Sequence, residues 1–213
     1  MSSLFVIIFL GTLFYLALSV NVKNYINLIG IQGLLLFGIA IFELHELNVV
    51  HLILILAETL IFKGIIVPGL LYRISKRNKI SVLKNNKTHR KAKGFNMVII
   101  TALVIGLSFV FSHNQQDAHL EIQYFTAAIS AMIMGILFIT VNKNIIIHLI
   151  SFLVIENGIF LMAIAVGSNM PMLVNAAILL DIFSSVLVLT VFLNRIGQFF
   201  QDVETDQLTE LKD

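Results

Sequence analysis

The sequence has no cysteine and few charged residues, and both shortages restrict what the protein is. The absence of cysteine from 213 residues excludes disulfides, iron–sulfur ligation and thiolate metal sites within this chain. Charged residues make up 12% of the sequence and hydrophobic residues 58%, whereas soluble domains carry about a quarter charged residues. This leaves too little polar surface to cover a soluble globule, and the composition therefore predicts an integral membrane protein.

Long apolar runs separated by short polar breaks predict an all-α, polytopic fold in which residues 1–213 form a single membrane domain. A membrane barrel is disfavoured because its strands would alternate apolar and polar residues. The first 20 residues lack a basic leader and a small-residue cleavage site, so we expect a retained helix there. The seven expected transmembrane helices are about 3–20, 25–43, 50–73, 96–112, 122–141, 145–166 and 172–196.

The distribution of lysine and arginine predicts the orientation of these helices. The loop 74–95 holds eight of the fourteen basic residues, and the loops with Lys23 and Lys143 fall on the same side of the membrane. Because basic loops stay cytoplasmic, we expect the N-terminus outside and the polar tail 197–213 inside. We interpret the basic loop as a topology determinant that contacts lipid headgroups. Nucleic-acid binding is not expected, since no aromatic residues are interleaved with its lysines.

Two pairs of segments resemble each other within the chain. QGLLLFGIA (32–40) lines up with NGIFLMAIA (157–165), and ETLIFKGI (58–65) lines up with DIFSSVLV (181–188). This pattern is typical of a parallel repeat of two three-helix units, with the fourth helix restoring the orientation. Hydrophobic helices also resemble one another by chance, so both interpretations stay open.

Four ionisable residues interrupt the apolar runs. They are Glu58 and Lys63 in the third expected helix, Glu156 in the sixth and Asp181 in the seventh. At 1.5 Å per residue, all four fall near the midplane of a hydrocarbon core about 30 Å thick. Together they cost roughly 10 kcal/mol on insertion scales, whereas polar contacts between helices return only about 0.6–2 kcal/mol each. A layer of charge at this depth therefore favours a proton pathway over structural contacts alone.

The spacing within the third expected helix restricts how these groups pair. Glu58 and Lys63 are five residues apart, about 140° around an α-helix, so each is expected to face a different neighbour. Pro68 removes a backbone hydrogen bond to the carbonyl of Gly64 and predicts a helix kink beside Lys63. A kink that serves only packing is an equally open interpretation.

Other polar residues in the apolar runs have supporting roles in this interpretation. His148 lies one turn inside the cytoplasmic edge of the sixth expected helix, where it either relays protons toward Glu156 or reaches the membrane interface. Gln32, Asn157 and Asn175 are interpreted as hydrogen-bond partners between helices. No nucleophile–base set and no metal-ligand spacing is visible, so the sequence predicts neither a catalytic residue nor a metal site.

Three segments, KNIIIHLISFLVIENGIFLMA, MPMLVNAAILLDIFSSVLVLTVFLNRI and LIFKGIIVPGLLY, resemble the hydrogenase-4 component E family. The resemblance spans essentially the whole chain, and that family is related to the K-type subunit of complex I and the C-type subunit of multisubunit cation/proton antiporters. By position, Glu156, Asp181 and Lys63 match the buried acids and lysine of the family. Asn175 stands where the family often has Glu, and Glu58 is not part of its pattern.

The resemblance implies a non-catalytic subunit of a complex I-like or formate hydrogenlyase-like respiratory complex in a bacterial inner membrane. Its implied partners are antiporter-like and other membrane-arm subunits, a nickel–iron hydrogenase or another peripheral redox module, and lipid, with no cofactor in this chain. One alternative is a subunit of a cation/proton antiporter or ion-coupled uptake complex without hydrogenase. Another is a scaffold subunit whose charges only specify assembly.

Overall fold

A computed structural model describes residues 2–19, 21–43, 53, 58–77, 87–114, 121–142 and 145–166, and all regular secondary structure in these ranges is helical. The first two helices are α1 (Ser2–Leu18) and α2 (Val22–Glu43). A π-helical segment, Glu58–Ile66, continues directly into α3 (Val67–Arg77). The others are α4 (Lys87–Asn114), α5 (Ile122–Val141) and α6 (Ile145–Val166). The predicted seventh helix (172–196) and the tail (197–213) lie outside the described residues.

Among the described residues, four helical stretches are long and apolar enough to cross a membrane: Val22–Glu43, Asn96–Asn114, Ile122–Val141 and Ile146–Val166. α1 is apolar as well but shorter. Large aliphatic side chains on the outside of the bundle, such as Leu103 and Leu107, are more than half exposed. A lipid environment accommodates such side chains, and the chain is a membrane protein built from helices.

α1, α2, α5 and α6 begin and end within a few residues of the predicted apolar segments. The first part of the predicted third helix (50–57) lies outside the described residues except for residue 53, and the other helices differ from the prediction around the basic loop. α3 continues to Arg77 and α4 already begins at Lys87, so both enter the predicted loop 74–95. Lysine and arginine have good helix propensity, and a helix therefore need not end where its apolar run ends. An apolar run gives the length of a possible membrane span, but it does not give the full length of the helix.

α2 lies at the centre of the bundle. It packs against α1, the π-helical segment, α3 and α6, while α5 and α6 form the most extensive helix pair. The buried core between these elements is mostly aliphatic and includes the fully buried Phe9, Leu36 and Ile147. This arrangement brings the middle of α2 against the two elements that carry Lys63 and Glu156.

The two ends of the bundle carry polar contacts of different charge. Where α2 ends and α5 begins, the Tyr124 hydroxyl donates a hydrogen bond to Glu43 Oε1 at 2.6 Å. At the opposite end, the Lys23 ammonium lies 5.8 Å from the centroid of the Tyr72 ring. An acidic end and a basic end are what the charge distribution in the sequence predicts. Which end faces the cytoplasm stays a prediction.

Candidate functional site

Lys63 is carried by the π-helical segment Glu58–Ile66, which the sequence did not predict. π-Helical turns are rare and occur frequently at functional sites. The segment ends at Ile66, and Pro68 follows in the first turn of α3, where a missing backbone N–H is tolerated. The irregularity expected at Pro68 thus takes the form of a change from π-helix to α-helix directly before this proline.

The π-helical geometry corrects one expectation about Glu58 and Lys63. Residues five apart are about 140° apart on an α-helix, but a π-helix hydrogen-bonds residue i to residue i+5. The backbones at positions 58 and 63 are therefore about one helical turn apart, and the predicted angular separation is wrong for this segment. The side chain of Glu58 lies outside the described residues.

α2 approaches the π-helical segment at Gly33. A Cβ atom at this position would lie 2.8 Å from the carbonyl carbon of Lys63 and 2.9 Å from the nitrogen of Gly64. Any side chain at Gly33 would force the two backbones apart, so glycine permits this contact, as small residues do between membrane helices. The contact places the neighbouring Gln32 beside the element that carries Lys63.

Lys63 and Glu156 form an ion pair inside the bundle. The Lys63 Nζ atom lies 3.6 Å from Glu156 Oε1, and the two residues are only 3% and 2% exposed. Nζ also donates to Asn157 Oδ1 at 3.4 Å. One turn further along α6, the Phe160 ring centroid lies 5.5 Å from Nζ, within cation–π distance. A carboxylate, a carboxamide oxygen and an aromatic ring of α6 therefore surround the ammonium group.

A chain of hydrogen bonds leads from this ion pair through α2 to α1. Asn157 Nδ2 donates to Gln32 Oε1 at 3.0 Å, and Gln32 Nε2 donates to Thr12 Oγ1 at 2.8 Å. Thr12 in turn donates to the backbone carbonyl of Phe9 at 2.6 Å. All three polar side chains are buried. The ion pair is thus connected to three helices besides the segment that supplies Lys63.

This polar cluster lies halfway along the apolar helices. Gln32 is ten residues after Val22 and eleven before Glu43, and Glu156 is eleven residues after the first residue of α6 and ten before Val166. At 1.5 Å per residue, each lies about 15 Å from either end of its helix. In helices that cross a bilayer, this is the depth at which ionisable groups are most costly.

One contact in the structure joins two residues that the internal sequence similarity aligns. The alignment of 32–40 with 157–165 pairs Gln32 with Asn157, and these two side chains hydrogen-bond to each other. Equivalent positions of two parallel three-helix units would lie at one depth and could meet across an axis normal to the membrane. The duplication stays a prediction, because its last helix lies beyond the described ranges.

The predicted site residues separate into three groups. Lys63, Glu156, Asn157 and Gln32 come together. His148 does not join them: its Nε2 atom lies 2.5 Å from the carbonyl oxygen of Asn142, and it is eight residues, about 12 Å, from Glu156 along α6. Asp181, Asn175 and the side chain of Glu58 lie outside the described part of the structure. A proton-relay role for any of these residues stays a prediction.

Two residues of the cluster were not singled out from the sequence. Thr12 is a hydroxyl residue in the middle of α1, and its depth in that helix was the available signal. Phe160 follows Glu156 by four residues, a spacing that places both on one face of a helix. Within the described ranges, no three His, Asp or Glu side chains are grouped closely enough to hold a metal ion.

Comparisons with known proteins identify no family for this chain. No protein-family model matches the sequence, and no solved structure matches it. The uncharacterized protein Rv0085 of Mycobacterium tuberculosis is 28% identical over 87 residues. That match covers 41% of this chain and 40% of the relative, so it spans about two fifths of the relative's length.

Proposed function

We propose that this chain is a non-catalytic subunit of a complex I-like or hydrogenase-4-like respiratory complex and contributes part of a midplane proton pathway. In this proposal the chain crosses a bacterial inner membrane seven times, with its N-terminus outside and its C-terminus in the cytoplasm. It binds no cofactor itself, and its partners are antiporter-like and other membrane-arm subunits together with a peripheral redox module such as a nickel–iron hydrogenase.

The observation that carries the proposal is the buried Lys63–Glu156 ion pair, 3.6 Å apart, with Glu156 halfway along the apolar helix α6. Ionisable residues inside a membrane are costly and mark ion or proton pathways. A polar contact made only for assembly returns about 0.6 kcal/mol on average in membrane proteins. Uncharged residues such as Gln32 and Asn157 supply such contacts at a lower cost, so the charges themselves need a further explanation.

The proposed relay uses the two protonation states of the pair. Transfer of the Lys63 proton to Glu156 would convert an ammonium and a carboxylate into a neutral amine and a carboxylic acid. Because charges interact strongly in a low-dielectric interior, a change of charge in a neighbouring subunit would favour one state over the other. Redox chemistry elsewhere in the complex would drive such a change and thereby move a proton.

The first experiment identifies the complex. The chain is purified from its native membrane in mild detergent through an affinity tag, and the co-purifying subunits are identified by mass spectrometry. Recovery of antiporter-like subunits with a nickel–iron large subunit is the expected result. Recovery of antiporter-type subunits alone would favour the alternative of a cation/proton antiporter without hydrogenase, and recovery of the chain by itself would contradict a membrane-arm role.

The second experiment tests the relay in the purified complex after reconstitution into liposomes. Glu156→Gln keeps the shape and burial of the side chain, but a carboxamide has no ionisable proton to pass on near neutral pH. We expect at least a tenfold loss of proton transport per electron transferred, in a complex with all its subunits. Glu43→Gln, at the exposed end of α2, is the matched control and is expected to transport normally. Undiminished transport in Glu156→Gln would contradict a relay role for Glu156 and favour the scaffold interpretation.

A further inference from the structure

The hydrogen-bond chain that ends at Phe9 has a fixed direction. A backbone carbonyl can only accept, and a threonine hydroxyl has one proton to donate. The Thr12 hydroxyl gives that proton to the Phe9 carbonyl at 2.6 Å. Toward Gln32, Thr12 therefore offers only lone pairs, and Gln32 must present its NH₂ group to Thr12, as it does at 2.8 Å.

The direction set at Thr12 passes through two carboxamides to Lys63. With its NH₂ group turned toward Thr12, Gln32 has only its oxygen left for Asn157, and the Asn157 NH₂ group donates to it at 3.0 Å. The Asn157 oxygen is then turned toward Lys63 Nζ, 3.4 Å away. Inverting either carboxamide would bring two donors or two acceptors together in the interior, which leaves buried polar groups without a hydrogen bond.

We infer that Thr12, acting through Gln32, is a positioning residue that holds the Asn157 carboxamide with its oxygen toward Lys63. The buried ammonium can only donate, so this orientation matches it, whereas the inverted carboxamide would point a second donor at it. Thr12, Gln32 and Asn157 lie on three different helices. The orientation at Lys63 is thus set from α1, through the two hydrogen bonds that join Thr12 to Gln32 and Gln32 to Asn157.

Thermal unfolding of the full chain in mild detergent tests the orientation. Thr12→Val keeps the shape of the side chain and removes the hydroxyl. We expect the melting temperature of the Thr12→Val variant to fall by about 2–4 °C. Thr12→Ser keeps the hydroxyl and is expected to have a melting temperature close to that of the unchanged protein.

The decisive measurement repeats Thr12→Val in the background of Asn157→Asp. Measured at a pH high enough to keep the introduced carboxyl ionised, this carboxylate accepts on both oxygens, so it meets the oxygen of Gln32 as long as Thr12 holds Gln32 in place. Removing the hydroxyl frees Gln32 to turn its NH₂ group toward the carboxylate. We therefore expect Thr12→Val to leave the melting temperature unchanged or raise it there. A loss of equal size in both backgrounds would overturn the inference, because a threonine that only fills space costs the same in each.

Gln32→Met provides the same comparison if Thr12→Val does not fold. It removes both polar groups of Gln32 at nearly constant volume, and we expect it to lower the melting temperature in the native background and to lower it less, or raise it, with Asn157→Asp. Equal losses would again overturn the inference.

The consequence for proton transport rests on the proposed function. In the reconstituted complex we expect Thr12→Val to reduce transport severalfold and Thr12→Ser to restore it. Normal transport by Glu156→Gln would contradict the relay proposal. A shift in melting temperature that depends on the residue at position 157 would still support the positioning role of Thr12. If the shift is the same in both backgrounds, the positioning role fails, while a loss of transport in Glu156→Gln still supports the relay.

Discussion

Two parts of the bundle use similar polar side chains in opposite ways. Buried hydroxyls of α4, α5 and α6 donate to the carbonyl four residues earlier in their own helix, at 2.7–2.8 Å: Thr101, Ser112, Thr126, Ser130 and Ser151. At the centre of the bundle, Gln32, Asn157 and Lys63 instead form hydrogen bonds between helices. A hydroxyl bonded within its own helix is satisfied before the helices meet, whereas the central groups are satisfied only after assembly.

This difference separates polar side chains that need no partner in another helix from those whose hydrogen bonds depend on how the helices are arranged. A hydroxyl bonded within its helix leaves that helix able to rotate or slide against its neighbours without losing a hydrogen bond. The hydrogen-bond chain from Thr12 through Gln32 and Asn157 to Lys63 fixes the depth and rotation of α1, α2, α6 and the π-helical segment together. Substitutions in this hydrogen-bond chain are therefore expected to affect several helices. Substitutions of hydroxyls bonded within their own helix are expected to have only local effects.

The largest effect is expected from Lys63→Met, which removes the ammonium that lies 3.6 Å from Glu156 Oε1. Removing one partner of a buried ion pair costs about 3–5 kcal/mol, because the remaining charge loses its counterion. We expect the free energy of unfolding in mixed detergent micelles, followed by circular dichroism, to fall by an amount in this range.

Lys63→Met combined with Glu156→Gln is the control for this measurement. It removes both charges, and we expect it to recover much of the lost stability, since buried ion pairs replaced as a whole are often close to neutral. If the double variant is less stable than Lys63→Met by itself, the two residues do not act as a pair.

An intermediate effect is expected where the helices of the central cluster touch. Gly33→Ala places a Cβ 2.8 Å from the carbonyl carbon of Lys63, so α2 and the π-helical segment must separate. Overpacking of this kind costs about 1–3 kcal/mol. The same unfolding measurement checks the value.

Gly69→Ala is the matched control, because a Cβ at Gly69 meets no atom within 4 Å. Alanine has a higher helix propensity than glycine, so we expect this variant to be neutral or slightly more stable. Equal losses for Gly33→Ala and Gly69→Ala would show that the contact at Gly33 does not hold the central cluster together.

The sequence was sufficient to predict where four of the described helices, α1, α2, α5 and α6, lie. Apolar runs of about 20 residues determine where a chain can be helical in a membrane, and α2, α5 and α6 lie within a few residues of the predicted segments. Counting residues also predicts that Glu156 lies near the middle of its helix, and it lies eleven residues after Ile145 and ten before Val166. The depth of Lys63 in a membrane stays a prediction.

The pairing of those residues depends on features that periodicity does not contain. The π-helical form of Glu58–Ile66 alters the angular spacing of its residues, so an α-helical projection gave the wrong separation for Glu58 and Lys63. The rotation of each helix is set by close contacts such as Gly33 against Lys63 and Gly158 against Ala128. These contacts involve residues far apart in the sequence, and a single sequence does not reveal which glycine meets which backbone.

The smallest effect is expected from Ser130→Ala, and it provides the strictest test of the distinction between the two regions. Ser130 is fully buried, as Gln32 is, but its hydroxyl donates to the Thr126 carbonyl of its own helix. That carbonyl keeps its place in the α-helical backbone when the hydroxyl is removed, and alanine favours the helix. We therefore expect the free energy of unfolding to change by less than about 0.5 kcal/mol, measured as for Lys63→Met. A loss as large as that of Gly33→Ala would mean that burial determines the cost of removing a polar group, and that a hydrogen bond between helices adds nothing specific to the central cluster.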